Sequence, residues 1–287
     1  MQHLTYRLSL KFILAGFGLF LIGSVPALFD GIHLNIPSYL SSLSNVVANM
    51  AQPWSLTYID NGVGRALLPR LLEPWQNTMT LFFVSFTCAF LLALAAACVT
   101  AMLPEKLVKP VKFIVFMLES LPDVLIMALF IFGTIWVYQT TGFDLFNVAS
   151  YGEDEAFALP MMALTVIPCL MLYRTMVLDF DVEKEQPYVE LAKGKGLKKH
   201  HVVLSHIFRN AFIRIFIDSK YVLWVMLSNV LIAEYIFNVN GLINFMLERL
   251  TPTILTVGCL MLFLPIFLFL AIGQVVIEKT TAERVEI

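Results

Sequence analysis

Ionisable side chains set in apolar surroundings are the first residues in this sequence that can do chemistry, because a charge held in hydrocarbon is costly and needs a partner or a purpose. Glu119 and Asp123 stand four residues apart beside Pro122. That spacing puts both carboxylates on one face of a helix, where they can bind a proton or a cation, or line a path. The plainer reading places them at a membrane boundary, snorkelling to water and paired with Lys112 or another base. Asn229 and Glu234, in a later apolar stretch, carry the same two readings.

Other chemistries find no matched set. His200, His201 and His206 lie on a basic segment without a matching group of ligands, so no metal is assigned. Cys88, Cys98, Cys169 and Cys259 form no CxxC pair and fall in apolar stretches, which makes them small packing residues. No serine stands in a nucleophile-elbow context, so no catalytic residue is assigned. Gly194-Lys195-Gly196 is too short for a phosphate loop and follows no strand; it predicts a helix-ending turn. No GxxxxGKS/T motif occurs anywhere, which excludes nucleotide hydrolysis by this chain and leaves it without an expected cofactor.

A long polar stretch between two apolar spans covers 181–216. Gln186-Pro187 predicts a helix start, since proline at the first helical position sacrifices no hydrogen bond. Tyr188 to Lys193 then supply about two turns, and Gly194 and Gly196 end them, Gly196 being free to take a positive φ. A second helix follows, with Val202, Val203, Ile207, Phe208, Ala211 and Phe212 at helical spacing. The pair predicts a helix, a sharp turn and an amphipathic helix along one membrane face. With Tyr188, Val189 and Leu191 as apolar contacts, the short helix suits another protein's groove. An amphipathic interfacial helix drawn to anionic headgroups accounts for the same residues.

The elements that must position these residues are membrane spans. A chain of 287 residues with 59% hydrophobic and 14% charged residues cannot coat a soluble globule of its size. About 20 apolar residues cross a hydrocarbon core as a helix, and six stretches qualify: 12–29, 79–103, 113–138, 157–178, 221–237 and 254–277. The fold class is an all-α membrane protein with six transmembrane helices. Pro122, Pro168 and Pro265 fall within spans and predict bends. Val25-Pro26-Ala27 resembles a signal-peptidase site, but cleavage there leaves five spans and expels the N-terminus, so the first span is expected to be retained.

Placing the N-terminus inside puts sixteen of the 19 Lys and Arg residues in the cytoplasm, from Arg7 and Lys11 to Lys279 and Arg284. Only Arg65, Arg70 and Arg249 fall outside, so both termini are expected in the cytoplasm. A net charge of −2 gives no concentrated basic face for nucleic acid. Residues 30–76, with Pro37, Pro53, Pro69, Pro74 and Asn61-Gly62, predict an external cap of short helices. A tight turn is expected over 104–112. The loop 139–156 carries Asp144, Glu153, Asp154 and Glu155, a solvated acidic face, and 242–250 suggests a short amphipathic piece. Without repeats or linkers, 1–287 is expected to be one domain, with 30–76 external and 179–220 as the cytoplasmic loop.

The 181–216 run resembles the cytoplasmic loop of a known family, the inner-membrane permease subunits of binding-protein-dependent ABC importers, in the oligopeptide, dipeptide and nickel branch. That loop has a Glu-x-Ala-x-x-x-Gly core, matched by Glu190, Ala192 and Gly196, and the branch continues His-x-x-Arg-Asn, matched by His206, Arg209 and Asn210. Tyr188-Val189 fits the branch's usual start. The similarity runs from Asn77 to the C-terminus and departs mainly over 30–76.

The resemblance implies the type I importer fold in a bacterial cytoplasmic (inner) membrane. Two permease subunits, usually a heterodimer in this branch, would surround a central path, with two cytoplasmic ATPases binding ATP and Mg and an external solute-binding protein. Gln186, Pro187, Tyr188, Val189, Glu190, Leu191, Ala192, Gly196 and Leu197 would form the coupling helix seated in an ATPase cleft, and the cargo would be a small peptide or similar solute. Two other classes compete: an ion-gradient carrier using Glu119, Asp123 and Glu234 as a relay, and a membrane assembly protein that moves nothing.

Overall fold

The computed structural model describes residues 2–60, 62–151 and 156–281. Asn61 of the turn signal, Glu153, Asp154 and Glu155 of the acidic loop, and Arg284 lie outside the described residues. Six helices among them are long and apolar enough to cross a membrane: Tyr6–Gly23, Leu67–Met102, Asp123–Thr141, Ala158–Lys184, Lys199–Ile236 and Pro252–Lys279. The chain is an all-α membrane protein. Outward side chains such as Leu91, Leu92 and Phe132 are apolar and exposed, as a surface solvated by acyl chains requires.

Contacts divide the chain into two compact units, 1–79 with 240–275, and 80–239 with 276–287. In the first, α1 (Gln2–Gly23) packs Phe12 against Phe263 and Phe267 of α11 (Pro252–Thr281), with ring centroids 6.0 and 5.3 Å apart. Gly23 abuts Thr256, whose side chain and backbone fill the space a Cβ would need. Thr251 starts α11 by accepting the Ile254 amide at 3.3 Å, a side-chain cap for one of the helix's orphan donors.

The cap differs from the expected set of short helices. The described residues of 29–66 form an α-helix, α2 (Ile36–Met50), and a 3-10 turn (Pro53–Ser55), flanked by two small antiparallel sheets, β1 (Phe29–Asp30) with β2 (His33–Leu34) and β3 (Thr57–Asp60) with β4 (Val63–Ala66). Hairpins win here because each pair brackets a glycine at positive φ, Gly31 and Gly62. Residues 67–76 leave the cap altogether and open α3 (Leu67–Met102), which starts twelve residues earlier than the apolar stretch at 79. Short α10 (Leu242–Glu248) buries Leu242, Ile243, Phe245 and Met246, in agreement with the amphipathic pattern. It holds β3 through Phe245, whose ring meets Tyr58 edge-on at 5.7 Å.

The second unit is built around α6 (Ala158–Lys184) and α9 (Phe208–Ile236), with the later part of α3 against α6. Ala89, Ala93, Ala97 and Ala101 form a buried small-residue stripe on α3, the kind of surface that lets helices approach closely in lipid. Hydroxyls join the two helices: Ser85 donates to the Met161 carbonyl at 3.3 Å, and Thr100 and Tyr173 share a buried hydrogen bond of 2.9 Å.

The third span is not one bent helix. α4 (Glu105–Glu119) ends at Ser120, and α5 (Asp123–Thr141) begins after Pro122, which is extended at φ −60°, ψ 137°. Proline forces the residue before it out of the helical region and has no amide to donate, so Pro122 breaks the span. The turn expected over 104–112 shrinks to its first residues, the rest being helix. Pro168 and Pro265 do lie inside helices, in α6 and α11. The first span also shifts: α1 ends at Gly23, and 25–28, with Pro26, form a 3-10 turn.

Candidate functional site: the short helix between α6 and α9

Residues 185–198 are the part of the expected cytoplasmic loop that stays outside the long helices, because α6 extends to Lys184 and the chain is helical again from Lys199 to Ile236. The second helix of the pair therefore does not lie apart on a membrane face. It passes through α8 (Lys199–His201) and a π-helical segment (Val202–Ile207) directly into α9. What remains is α7 (Pro187–Gly194), with Pro187 at its first position and Gln186 as cap, extended at φ −76°, ψ 143°. The Gln186 carbonyl accepts from Val189 at 2.9 Å.

The end of α7 is a Schellman turn. Gly196 takes φ +75°, its amide donates to Lys193 at 2.9 Å, and the Leu197 amide reaches Ala192 at 3.3 Å. Both bonds satisfy carbonyls that a helix end leaves open, and the left-handed residue that makes them possible is a glycine. Nothing lies within 4 Å of where a Gly196 Cβ would sit, so the demand for glycine comes from the backbone alone.

α7 has an inner and an outer face. Val189 and Ala192 are buried, whereas Pro187, Glu190, Leu191 and Lys193 are exposed, Leu191 by 61%. Val189 is thus an anchor instead of an available contact, in a helix that packs against both α6 and the π segment. Tyr188 is half-buried and its hydroxyl donates to the Glu183 carboxylate. Leu197 stays on the surface.

Glu183, near the end of α6, is buried and also receives the Arg214 guanidinium of α9, which lies 3.7 Å from Asp179 one turn earlier. Next to this knot, Asp181 binds Lys112 of α4 at 2.6 Å and Lys184 at 2.9 Å. Lys199 donates to the Met102 and Leu103 carbonyls at 3.1 and 3.5 Å, placing a cation where α3's dipole is negative. α7 is therefore tied by polar bonds to α6, and through Glu183 to α9. Sequence reasoning missed Asp179, Glu183 and Arg214. A four-residue spacing of carboxylates on α6 was there to be read, but Arg214 stands 31 residues away.

The other candidate residues disperse. His206 sits in the π segment, and Arg209 and Asn210 are exposed in the first turn of α9. His201 and His206 meet edge-on, with ring centroids 6.0 Å apart. Glu119 closes α4 and Asp123 opens α5, so the shared face expected from their spacing does not exist. Glu119 pairs with Arg174 of α6 at 3.4 Å, while Lys112 is taken by Asp181. Asn229 and Glu234 are buried in α9, a different helix from those that carry Glu119 and Asp123.

This helix-turn-helix between two spans falls within residues 77–278, which match the family model described as the binding-protein-dependent transport system inner membrane component. The match takes in more than two thirds of the 287 residues. The chain belongs to this family. The family match starts at Asn77, where the loop-based resemblance also begins.

Individual members of this permease family align over shorter stretches. A Brucella abortus protein named as a peptide transport system permease is 28% identical over 153 residues, 53% of this chain and 48% of the relative. The dipeptide transport system permease of Escherichia coli K12 is 27% identical over 117 residues, 38% of this chain and 34% of the relative. Its Lactococcus lactis counterpart is 26% identical over 114 residues, 39% and 38% of the two chains. The chain spans about half, or less, of the length of the curated relatives it matches.

Proposed function

We propose that this chain is the permease subunit of an ATP-driven importer that moves a small peptide or similar solute across the cytoplasmic membrane of a bacterium. The names of its peptide and dipeptide permease relatives support the cargo class. The Lys and Arg distribution supports cytoplasmic termini, and α7 would then stand on the inner side.

The observation that carries the proposal is the construction of α7. It presents Glu190 and Leu191 outward, buries Val189 and Ala192, and is braced through Tyr188 and Glu183 against two membrane-spanning helices. A helix held this way can receive a push from a partner and pass it to α6 and α9 without folding up. Gln186, Pro187, Tyr188, Glu190, Leu191, Gly196 and Leu197 form or shape the docking element, with Val189 and Ala192 as its anchors. Two ATPase subunits would bind ATP and Mg and dock here, a second permease subunit would complete a heterodimer, and an external binding protein would deliver the solute. This chain makes and breaks no covalent bond.

The test is reconstituted uptake of labelled di- and oligopeptides with the cognate ATPases, second permease and binding protein. Uptake that requires ATP and all partners, with crosslinks from Glu190 to an ATPase, is the expected result. Uptake driven by a proton or sodium gradient with no ATPase present overturns it.

A further inference from the structure

A cleft of about 660 Å³ opens beside α7 and takes Lys193 of that helix, and Leu197 just beyond its end, into its wall. Five lysines line it, Lys109, Lys112, Lys184, Lys193 and Lys199, against two carboxylates, Glu105 and Asp181. Three of the cations are engaged: Asp181 holds Lys112 and Lys184, and Lys199 rests on the end of α3. The ammonium groups of Lys109 and Lys193 make no hydrogen bond or ion pair among the described residues. Behind the ammonium groups the wall is apolar, with Val108, Leu197, Val202, Val203 and Ile207.

Position decides what such a cleft can hold. Its walls are the last turn of α3, the charged half of α4, the end of α6 and the π segment at the head of α9. α3, α6 and the helix from Lys199 run from this end into apolar spans, so the cleft lies where hydrocarbon gives way to headgroups. A surplus of cations above an apolar wall at that depth fits a ligand that is anionic at one end and hydrocarbon at the other. We propose that this cleft binds the headgroup of an anionic phospholipid, with Lys109 and Lys193 as its free contacts and Val108 and Leu197 against the glycerol and upper acyl chain. The inference rests on the membrane spans and the cleft, and stands independently of what is transported.

The test uses the full-length protein in nanodiscs of phosphatidylglycerol and phosphatidylcholine with matched acyl chains, and native mass spectrometry of the lipids retained. Phosphatidylglycerol should be retained in preference. The Lys109→Gln/Lys193→Gln double variant should lower the retained ratio about tenfold or more, at unchanged melting temperature, and Lys109→Gln alone should lower it in part. Lys106→Gln, on the same helix but outside the cleft, should leave it unchanged. An undiminished ratio in the double variant, or an equal loss in the Lys106 variant, overturns the proposal. Displacement by inorganic phosphate assigns the cleft to a soluble anion and overturns it too. A photoreactive residue at Val108 should label lipid in cells, and a protein adduct there assigns the cleft to a partner chain instead.

Discussion

The hydroxyl of Tyr188, in the first turn of α7, donates to the carboxylate of Glu183 near the end of α6. Because Glu183 is buried and also holds Arg214, this one bond joins the exposed helix to the two spans on either side of it. Removing the Arg214 partner should cost more than removing the tyrosine hydroxyl. Arg214→Met leaves a buried carboxylate short of its counter-charge, and a loss of about 2–4 kcal/mol is expected, below the usual range for fully buried pairs since Arg214 is partly exposed. Thermal melting in detergent reads it, and Tyr188→Phe should lose about 1 kcal/mol. Equal, negligible shifts in both variants would show that the bracing contributes nothing.

Gly196 offers a cleaner backbone test. Its φ of +75° costs a β-branched residue about 1–2 kcal/mol, while asparagine tolerates the left-handed region better. Since a Cβ meets no neighbour there, Gly196→Val should misdirect the end of α7 without disturbing the core, and Gly196→Asn should do so less. ATPase turnovers per solute imported should rise in the order wild type, Asn, Val. A flat ratio across the three would count against the docking geometry.

The two faces of α7 make opposite predictions. Leu191→Asp, on the outer face, should weaken ATPase capture in a pull-down with little change in melting temperature. Val189→Asp buries a carboxylate without a partner and should lower the melting temperature sharply, whatever its effect on capture. If Leu191→Asp captures ATPase as well as the wild type does, the outer face is not the docking surface.

In the first unit, Gly23 and Thr256 allow no room for a side chain between α1 and α11. Gly23→Val should force the helices apart, with a loss of about 1–3 kcal/mol or failure to insert. Thr256→Ala in the same chain should restore only part of it, because the Thr256 backbone is also in the way. Full rescue, seen by melting of the purified protein, would place the clash in the side chain alone.

The buried hydrogen bond between Thr100 and Tyr173 can be measured by a double-mutant cycle. Tyr173→Phe should lose about 1–2 kcal/mol by stranding the Thr100 hydroxyl, and Thr100→Val added to it should recover some of that loss. Strict additivity would mean the two residues are energetically independent.

Six spans, the start of α7 at Pro187 and the need for positive φ at Gly196 were all legible in the chain itself. Each depends on neighbours within a few residues: apolar length, a proline without an amide, a glycine without a Cβ. The break at Pro122 was legible as a proline and misread as a bend, because a proline in an apolar run either kinks or terminates depending on how adjacent turns are packed. The hairpins at 29–34 and 57–66 escaped notice because strands of two to four residues leave too few side chains to show an alternation.

The site itself divides the same way. Which residues form the short helix follows from composition, yet which of them face outward does not: Val189 and Leu191 are similar apolar residues two positions apart, and only the packing of α7 on its neighbours α6 and the π segment decides which is buried and which exposed. The bracing by Glu183 and Arg214 needed residues 31 apart to meet, and the cleft needed lysines from α4, α6, α7 and α8 on one rim. Local rules act through the backbone's nearest turns. Long-range charge pairing and exposure are settled by which helices lie side by side, and that is a property of the packed bundle.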